Sequence, residues 1–313
     1  MLKLSLLVAG LLIAATGLHL IGLPQDDLFV QNYIVWQLRI PRLLAGICVG
    51  AILGSTGAAY QTLFRNSLAS PSTIGTLAGA MLGVGLFATG MVTSLPPVIL
   101  SLAGGLGISM LLMGWLTWGK LGGSELILGG IALSLGAGAL CTGLQSLLDA
   151  QGALMMTRWS LGHLEQIGYE GVIPLAIALA VVLVGLRLDS RRWQVLSLGE
   201  DWARSQGVLP RPVQLRTLAF SALGVSTSVA ICGPITFVGL LAPHLCRFFI
   251  PGQLHHLVLA SAGAGAAGLT LCDALVRLIP IGQTELPVGA MTGALGAPLL
   301  ILLLLSRAYR RQN

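Results

Sequence analysis

Charge is what this chain has least of. Asp, Glu, Lys and Arg make up 9% of its 313 residues, where a soluble domain carries about 25%. So few charges cannot cover the surface of a water-soluble globule. A disordered chain is excluded as well, because disorder needs many charges and few apolar residues. The longest polar stretch, 188–212, is 25 residues long. That is short of the ~40 residues a self-standing domain needs, so no soluble catalytic domain fits. Paired carboxylates within an apolar run, H-E-x-x-H, and G-x-S-x-G with a polar partner set are all missing, which removes the common hydrolytic chemistries. The five cysteines, Cys48, Cys141, Cys232, Cys246 and Cys272, are odd in number, lie among apolar neighbours and form no C-x-x-C. They read as small buried hydrophobes rather than as metal ligands or disulfide partners.

What is present is apolar. Hydrophobic residues reach 55% and glycine adds 42 residues, with a mean hydropathy of +0.88. The runs are continuous rather than alternating, which excludes a transmembrane barrel and leaves an all-α polytopic membrane protein. Ten spans are expected, at 4–23, 40–62, 73–91, 96–118, 125–148, 169–187, 213–231, 234–250, 257–278 and 286–305. The first reads as a retained span rather than a removed leader, since its apolar run reaches about 20 residues without a convincing cleavage site. The eighth is short and contains Pro243. Ten spans with both termini in the cytoplasm leave Arg39, Arg42, Arg158 and Arg277 outside and the other 13 of the 17 basic residues inside, as the positive-inside rule asks. The basic balance therefore reports topology, not nucleic acid. The whole chain, 1–313, reads as one permease-like domain, with 188–212 as a cytoplasmic loop.

Several features stand out within this frame. Gly46, Gly50 and Gly54, then Gly75, Gly79 and Gly83, and then Gly289 and Gly293 are spaced by four, giving smooth stripes for close helix packing or sliding. Segments 40–148 and 213–305 resemble each other faintly, as an inverted repeat would. The string Gly114–Lys120 fits G-x-x-x-x-G-K, but Leu121 replaces the Ser or Thr that would hold magnesium, so this chain has no nucleotide engine. Arg39 and Arg42 flank Pro41 on the wrong side for insertion, as does Arg277. They suit an acidic docking partner, because the guanidinium fork pairs carboxylates. Asp273, four residues before Arg277, is expected to pair with it. His19 and His163 stand alone, and His244 follows Pro243; these read as structural. His255 and His256 share a cytoplasmic loop with no support for a metal. In LSLGEDWARSQGV, 196–208, Leu198 and Gly199 break the chain, Glu200 and Asp201 open a short helix, Gly207 stops it and Pro210 prevents continuation. A protruding knob of this kind can enter a groove on a soluble partner.

The chain resembles the permease family of binding-protein-dependent ABC importers for iron chelates, haem and vitamin B12, the FecCD family. Four strings carry the resemblance: LRIPRLLAGICVGAILGSTGAAYQTLFRNSLASP at 38–71, LSLGEDWARSQGV at 196–208, GPITFVGLLAPHLCR at 233–247 and DALVRLIPIGQTELPVGAMTGALGAP at 273–298. It implies the ten-helix fold of type II importers, a second identical or related permease subunit, and two ATPase subunits that hold the ATP and magnesium. A periplasmic or lipid-anchored binding protein delivers the metal chelate. The chain itself is then no enzyme, carries no cofactor, and sits in a bacterial inner membrane. By position, Arg39, Arg42 and Arg277 correspond to arginines that meet glutamates on the binding protein. Leu198, Gly199, Glu200, Asp201, Ala203 and Gly207 fall in the coupling helices, and Asn66, Leu68 and Ser124 at the cytoplasmic gate. The gate departs from the family's N-P-L-A in having Ser67. An iron–siderophore complex is the expected substrate, with haem and vitamin B12 as alternatives. An ion-coupled secondary transporter is the rival, though Asp273 would be its sole intramembrane acid.

Overall fold

The computed structural model describes residues 2–19, 28–118, 123–165, 167–250, 254–278 and 286–312. Among these residues there is no strand. In chain order the helices are α1 (Leu2–His19), α2 (Leu28–Tyr33), a π-helical segment Ile34–Arg39 that runs directly into α3 (Ile40–Leu63), α4 (Thr76–Ala88), α5 (Pro97–Trp118), α6 (Gly123–Gln145), α7 (Ala150–Ser160), α8 (Tyr169–Leu198), α9 (Glu200–Ser205), α10 (Pro210–Cys232), α11 (Val238–Phe249), α12 (Leu254–Leu278) and α13 (Val288–Gln312). Six are long and apolar enough to cross a bilayer. Four shorter apolar helices, within α1, α4, α11 and α13, complete one for each expected span. The chain is a multi-pass membrane protein.

α3 is the central post. It packs against α8, α10, α11 and α12, and nearly every residue from Ala45 to Leu63 is buried. Glycine makes these contacts possible. A Cβ on Gly50 would land on the Gly265 carbonyl of α12, one on Gly54 on the Ser261 carbonyl, and one on Gly57 on the Gly239 carbonyl of α11. Gly79 and Gly83 of α4 meet Gly104 and Leu100 of α5 in the same way. These stripes are seams of backbone contact, the tight packing that small residues four apart permit. α1 covers α12, with Ala15 fully buried and Val8 against the Cys246–Leu257 cluster.

The two segments suspected of repeating show the same element pattern. α3 has 24 residues, then an irregular break, then the 13-residue α4 and the longer α5 and α6. α10 has 23 residues, then a break, then the 12-residue α11 and the longer α12 and α13. Each break contains a non-glycine residue in the left-handed region: Arg65 at φ 50° and Phe237 at φ 65°.

The helix of the sixth span is longer than its membrane-crossing part: α8 continues past 187 to Leu198; no Gly or Pro interrupts 188–198, so the polar residues extend the helix. The connector after the fifth span contains a helix, α7, started by Asp149, whose carboxylate accepts the Gly152 N–H at 2.8 Å. Asp26, Asp27, Lys120 and Glu285, and the Gly119–Leu121 end of the G-x-x-x-x-G-K string, lie outside the described residues.

Candidate functional site

The Tyr169 hydroxyl donates to the Trp36 carbonyl at 2.8 Å. The start of α8 therefore lies beside the start of α3. Both helices run across the bilayer, so the far end of α8 and the turn after α3 emerge together on the other side. The three groups of candidate residues sort onto these two faces, and a cleft lies between.

At the Arg39 end, the three arginines converge. Arg277 lies close enough to Arg39 for their charges to repel. Arg42 is committed inward: its Nε donates to both Asp273 oxygens, at 3.0 and 2.9 Å, and its Nη2 to Oδ1 at 2.7 Å. The pair is buried, with side-chain exposures of 10% and 1%. Asp273 thus takes a partner from a different helix, 231 residues away, rather than resting on the expected Arg277 alone. On the same face a cleft of about 800 Å³ is lined by Gln37, His163, Glu165, Tyr169 and Glu170, among others. Burial pushes the His163 imidazole below its ordinary value.

At the opposite end, the 196–208 segment folds as a braced projection. Gly199 breaks α8 at φ 140°, and the six-residue α9 follows. Gly207, at φ 75°, closes it. The Val208 N–H donates to the Ala203 carbonyl at 2.8 Å and the Gly207 N–H to the Arg204 carbonyl at 3.0 Å, the paired bonds of a Schellman cap. Pro210 then starts α10 at its first turn. Leu198, Trp202 and Leu209 are exposed at 70%, 54% and 65%. Asp201 is also exposed, and Glu200 reaches Arg204 and Gln214. Ala203 is fully buried, so it packs the projection onto its base and does not belong to the outer surface.

That base is fixed by residues the sequence did not single out. Asp189, 2% exposed, accepts Arg192 at 2.6 Å and Arg216 of α10 at 3.0 Å, both on Oδ1. The buried Trp193 indole N–H donates to Thr217 Oγ1 at 3.1 Å. Both ties join α8 to α10, the two helices that carry the projection. The signal in the sequence was the lone acid at 189 within a run of arginines.

The turn that holds Asn66 and Leu68, the residues expected at the cytoplasmic gate, lies beyond α3. Asn66 Oδ1 accepts the Leu68 N–H at 2.8 Å, and the Asn66 carbonyl accepts the Ala69 N–H at 3.1 Å. This Asx turn sets the loop without a proline at position 67. Leu68 is 48% exposed. Ser124 stands in the first turn of α6, and its side chain lies outside the described residues.

Between the faces, the two breaks approach one cleft of about 300 Å³ lined by Ser72, Leu77, Ala78, Met81, Ser160, Leu161, Pro234, Thr236, Gly289 and Ala290. All ten are uncharged. Irregular backbone at membrane depth is tolerated where it lines a cavity or finds partners. Here the His163 N–H donates to the Cys232 carbonyl at 2.7 Å, the Gly289 N–H to the Gly162 carbonyl at 3.2 Å, and Ser134 Oγ to the Ser72 carbonyl at 3.2 Å. Glycine is required at the junction, since a Cβ on Gly289 would meet the Leu161 carbonyl and one on Gly233 the Trp159 carbonyl. No group of three or more metal-ligating side chains occurs among the described residues.

A sequence profile of the FecCD transport family matches residues 3–306. The chain is a FecCD family member. It is 35% identical over 289 residues to the hemin transport system permease protein HmuU of Yersinia pestis, across 89% of this chain and 85% of that one. It is 37% identical over 321 aligned positions to the vitamin B12 import system permease protein BtuC of Salmonella typhi, across 98% and 95%. A solved metal-chelate type ABC transporter in an inward-facing conformation superposes with a TM-score of 0.89 at 28% identity, over 98% of this chain and 100% of that one. PsaBC from Streptococcus pneumoniae, solved with a Fab, shares the fold at a TM-score of 0.60 and 16% identity, over 89% and 92%. Within the FecCD chain, the four strings that carried the resemblance supply α3 with its turn, the braced projection, the α10–α11 break, and the Asp273 end of α12.

Proposed function

We propose that this chain is the permease subunit of an ABC importer that moves a large metal chelate across a bacterial inner membrane. The substrate class comprises iron–siderophore complexes, haem and cobalamins. Separate ATPase subunits hydrolyse the ATP, and both termini of this chain face the cytoplasm.

The observation that carries this function is the projection at 196–208. α8 is 30 residues long, about 45 Å at 1.5 Å per residue. That exceeds the ~30 Å hydrocarbon core by roughly ten residues, so Leu198, Trp202 and Leu209 stand clear of the membrane. Large apolar side chains exposed to water mark a partner surface, and the Asp189 and Trp193 ties make their support stiff. An ATPase groove that receives this tip would drive α8 and α10 as one body. Asn66 and Leu68, on the same face, then serve as the cytoplasmic gate. At the other face Arg39 and Arg277 receive acidic residues of the binding protein, and Arg42, turned inward to Asp273, adds its positive charge beneath them.

The cleft chemistry supports a conduit rather than a binding site. Its uncharged walls hold a chelate weakly, which favours release. α6 and α13 sit at the edge of the bundle, and each presents exposed leucines, such as Leu135 and Leu302. A second permease subunit against them would enclose the cleft between two copies.

The test is reconstitution in liposomes with candidate ATPase and binding-protein partners. Uptake of a labelled chelate should require ATP and all three components. Uptake by this chain alone, driven by a proton gradient, would refute the importer in favour of an ion-coupled carrier.

A further inference from the structure

We propose that α8 and α10 carry a binding site for an anionic phospholipid headgroup, built from Arg191, Arg192 and Arg216. The site requires only that α8 crosses the bilayer and does not depend on the transported substrate.

α8 presents a lipid-facing stripe. Ile173, Ile177, Val181, Val184 and Leu188 are exposed at 59%, 61%, 38%, 61% and 72%, at helical spacings of four, four, three and four. At 3.6 residues per turn these five fall within about 80° of arc. The next turn on the same line changes chemistry. Arg191 falls about 60° to one side of Leu188 and Arg192 about 40° to the other, and both are exposed.

The depth fits a headgroup. Tyr169, at the start of α8, belongs with Tyr33 and Trp36 to a set of exposed aromatic residues at one end of the bundle. Such residues settle at the membrane interface. From Tyr169 to Arg192 is 23 residues, about 34 Å along the axis. That distance crosses a hydrocarbon core of ~30 Å and ends among the phosphates of the opposite leaflet.

The charge is arranged for an anion. Arg192 and Arg216 share one oxygen of the buried Asp189. One carboxylate therefore pins two guanidiniums side by side and leaves a net positive charge. Each arginine keeps about half its side chain exposed, 48% and 47%. Guanidinium donors held in this way suit a phosphodiester, and the adjacent apolar stripe receives the acyl chains. The clamp that steadies the projection would thus also report the lipid composition of its leaflet.

The test uses the full chain in uncharged detergent. Its melting temperature is followed against dioctanoyl phosphatidylglycerol, dioctanoyl phosphatidylcholine and inorganic phosphate at matched concentrations. Phosphatidylglycerol should stabilise at lower concentration than phosphatidylcholine, and phosphate should have no effect. The double variant R191Q/R192Q should raise the half-saturating phosphatidylglycerol concentration about 25-fold, about fivefold for each arginine. R191Q alone, which leaves the Asp189 clamp whole, should give about fivefold and covers the case of a double variant that does not fold. R211Q removes an exposed arginine on the opposite side of α10 from Arg216 and should change nothing. Equal stabilisation by both lipids, or an unaltered preference in R191Q, would overturn the proposal. So would a phosphate effect as strong as that of the lipid, which would make this a free-anion site. Loss of the phosphatidylglycerol effect on adding an ATPase subunit would assign the arginines to that protein instead.

Discussion

Replacing Asp273 by Asn leaves the Arg42 guanidinium where it is and removes the charge that holds it there. Arg42 and Asp273 are both nearly inaccessible, and their three hydrogen bonds run between α3 and α12. Stranding one partner of a buried pair costs about 3–5 kcal/mol, whereas exchanging both for apolar residues of similar volume is often neutral or favourable by about 1–4 kcal/mol. D273N and R42Q should therefore each lower the melting temperature of the detergent-solubilised chain. The double variant R42M/D273L should recover most or all of the loss. The coupling in this cycle is expected to be several kcal/mol, far above the few tenths seen for independent sites. The same double variant separates two roles for Arg42. If this arginine meets the binding protein, R42M/D273L folds normally yet binds that protein more weakly. If its work is to join α3 to α12, binding survives. Single-variant losses that simply add in the double variant would show that no buried pair exists, and the account of this corner would fail.

Three further outcomes follow from packing, exposure and titration. G50A should destabilise by about 1–3 kcal/mol through overpacking, because its Cβ meets the Gly265 carbonyl; G268A on the facing helix α12, with nothing within 4 Å, should gain about 0.5–1 kcal/mol. Thermal melts of the two variants check the contrast. W202D should abolish ATPase-coupled uptake at an unchanged melting temperature, while A203D, which drives a charge into the buried base, should lower the melting temperature itself. His163 is held below its ordinary pKa by burial, so the folded chain binds its proton less readily than the unfolded chain. The His163 contribution is complete above the unfolded value of about 6.5 and is lost as pH falls below it, through the folded value. Melts between pH 8 and 5 should show this slope, and H163Q should flatten it.

The bundle was legible because apolar runs of about 20 residues leave a helix crossing a bilayer as the sole economical fold. The projection was legible too, since Gly199, Gly207 and Pro210 act locally. What escaped was chemistry that depends on distant partners. Spacing put Arg277 one turn from Asp273, but nothing in the spacing could reveal Arg42 across the seam. Nothing in the sequence around Asp189 reveals its partner, because Arg216 reaches it only through the packing of α10 on α8. Ala203 sits within the 196–208 string, yet which side of a six-residue helix faces inward is decided by the packing of α8 and α10. α7 was signalled by Asp149 at its start and was overlooked because its 11 residues are too few for a span.

α3 has one consequence of its own. It runs unbroken from Ile40 to Leu63, about 36 Å, with carbonyls of its neighbours seated against Gly50, Gly54 and Gly57. A rod gripped along its length cannot absorb a shove by flexing midway. Whatever tilts its arginine-bearing tip must therefore reappear, with little delay or loss, as movement of the turn that holds Asn66 and Leu68.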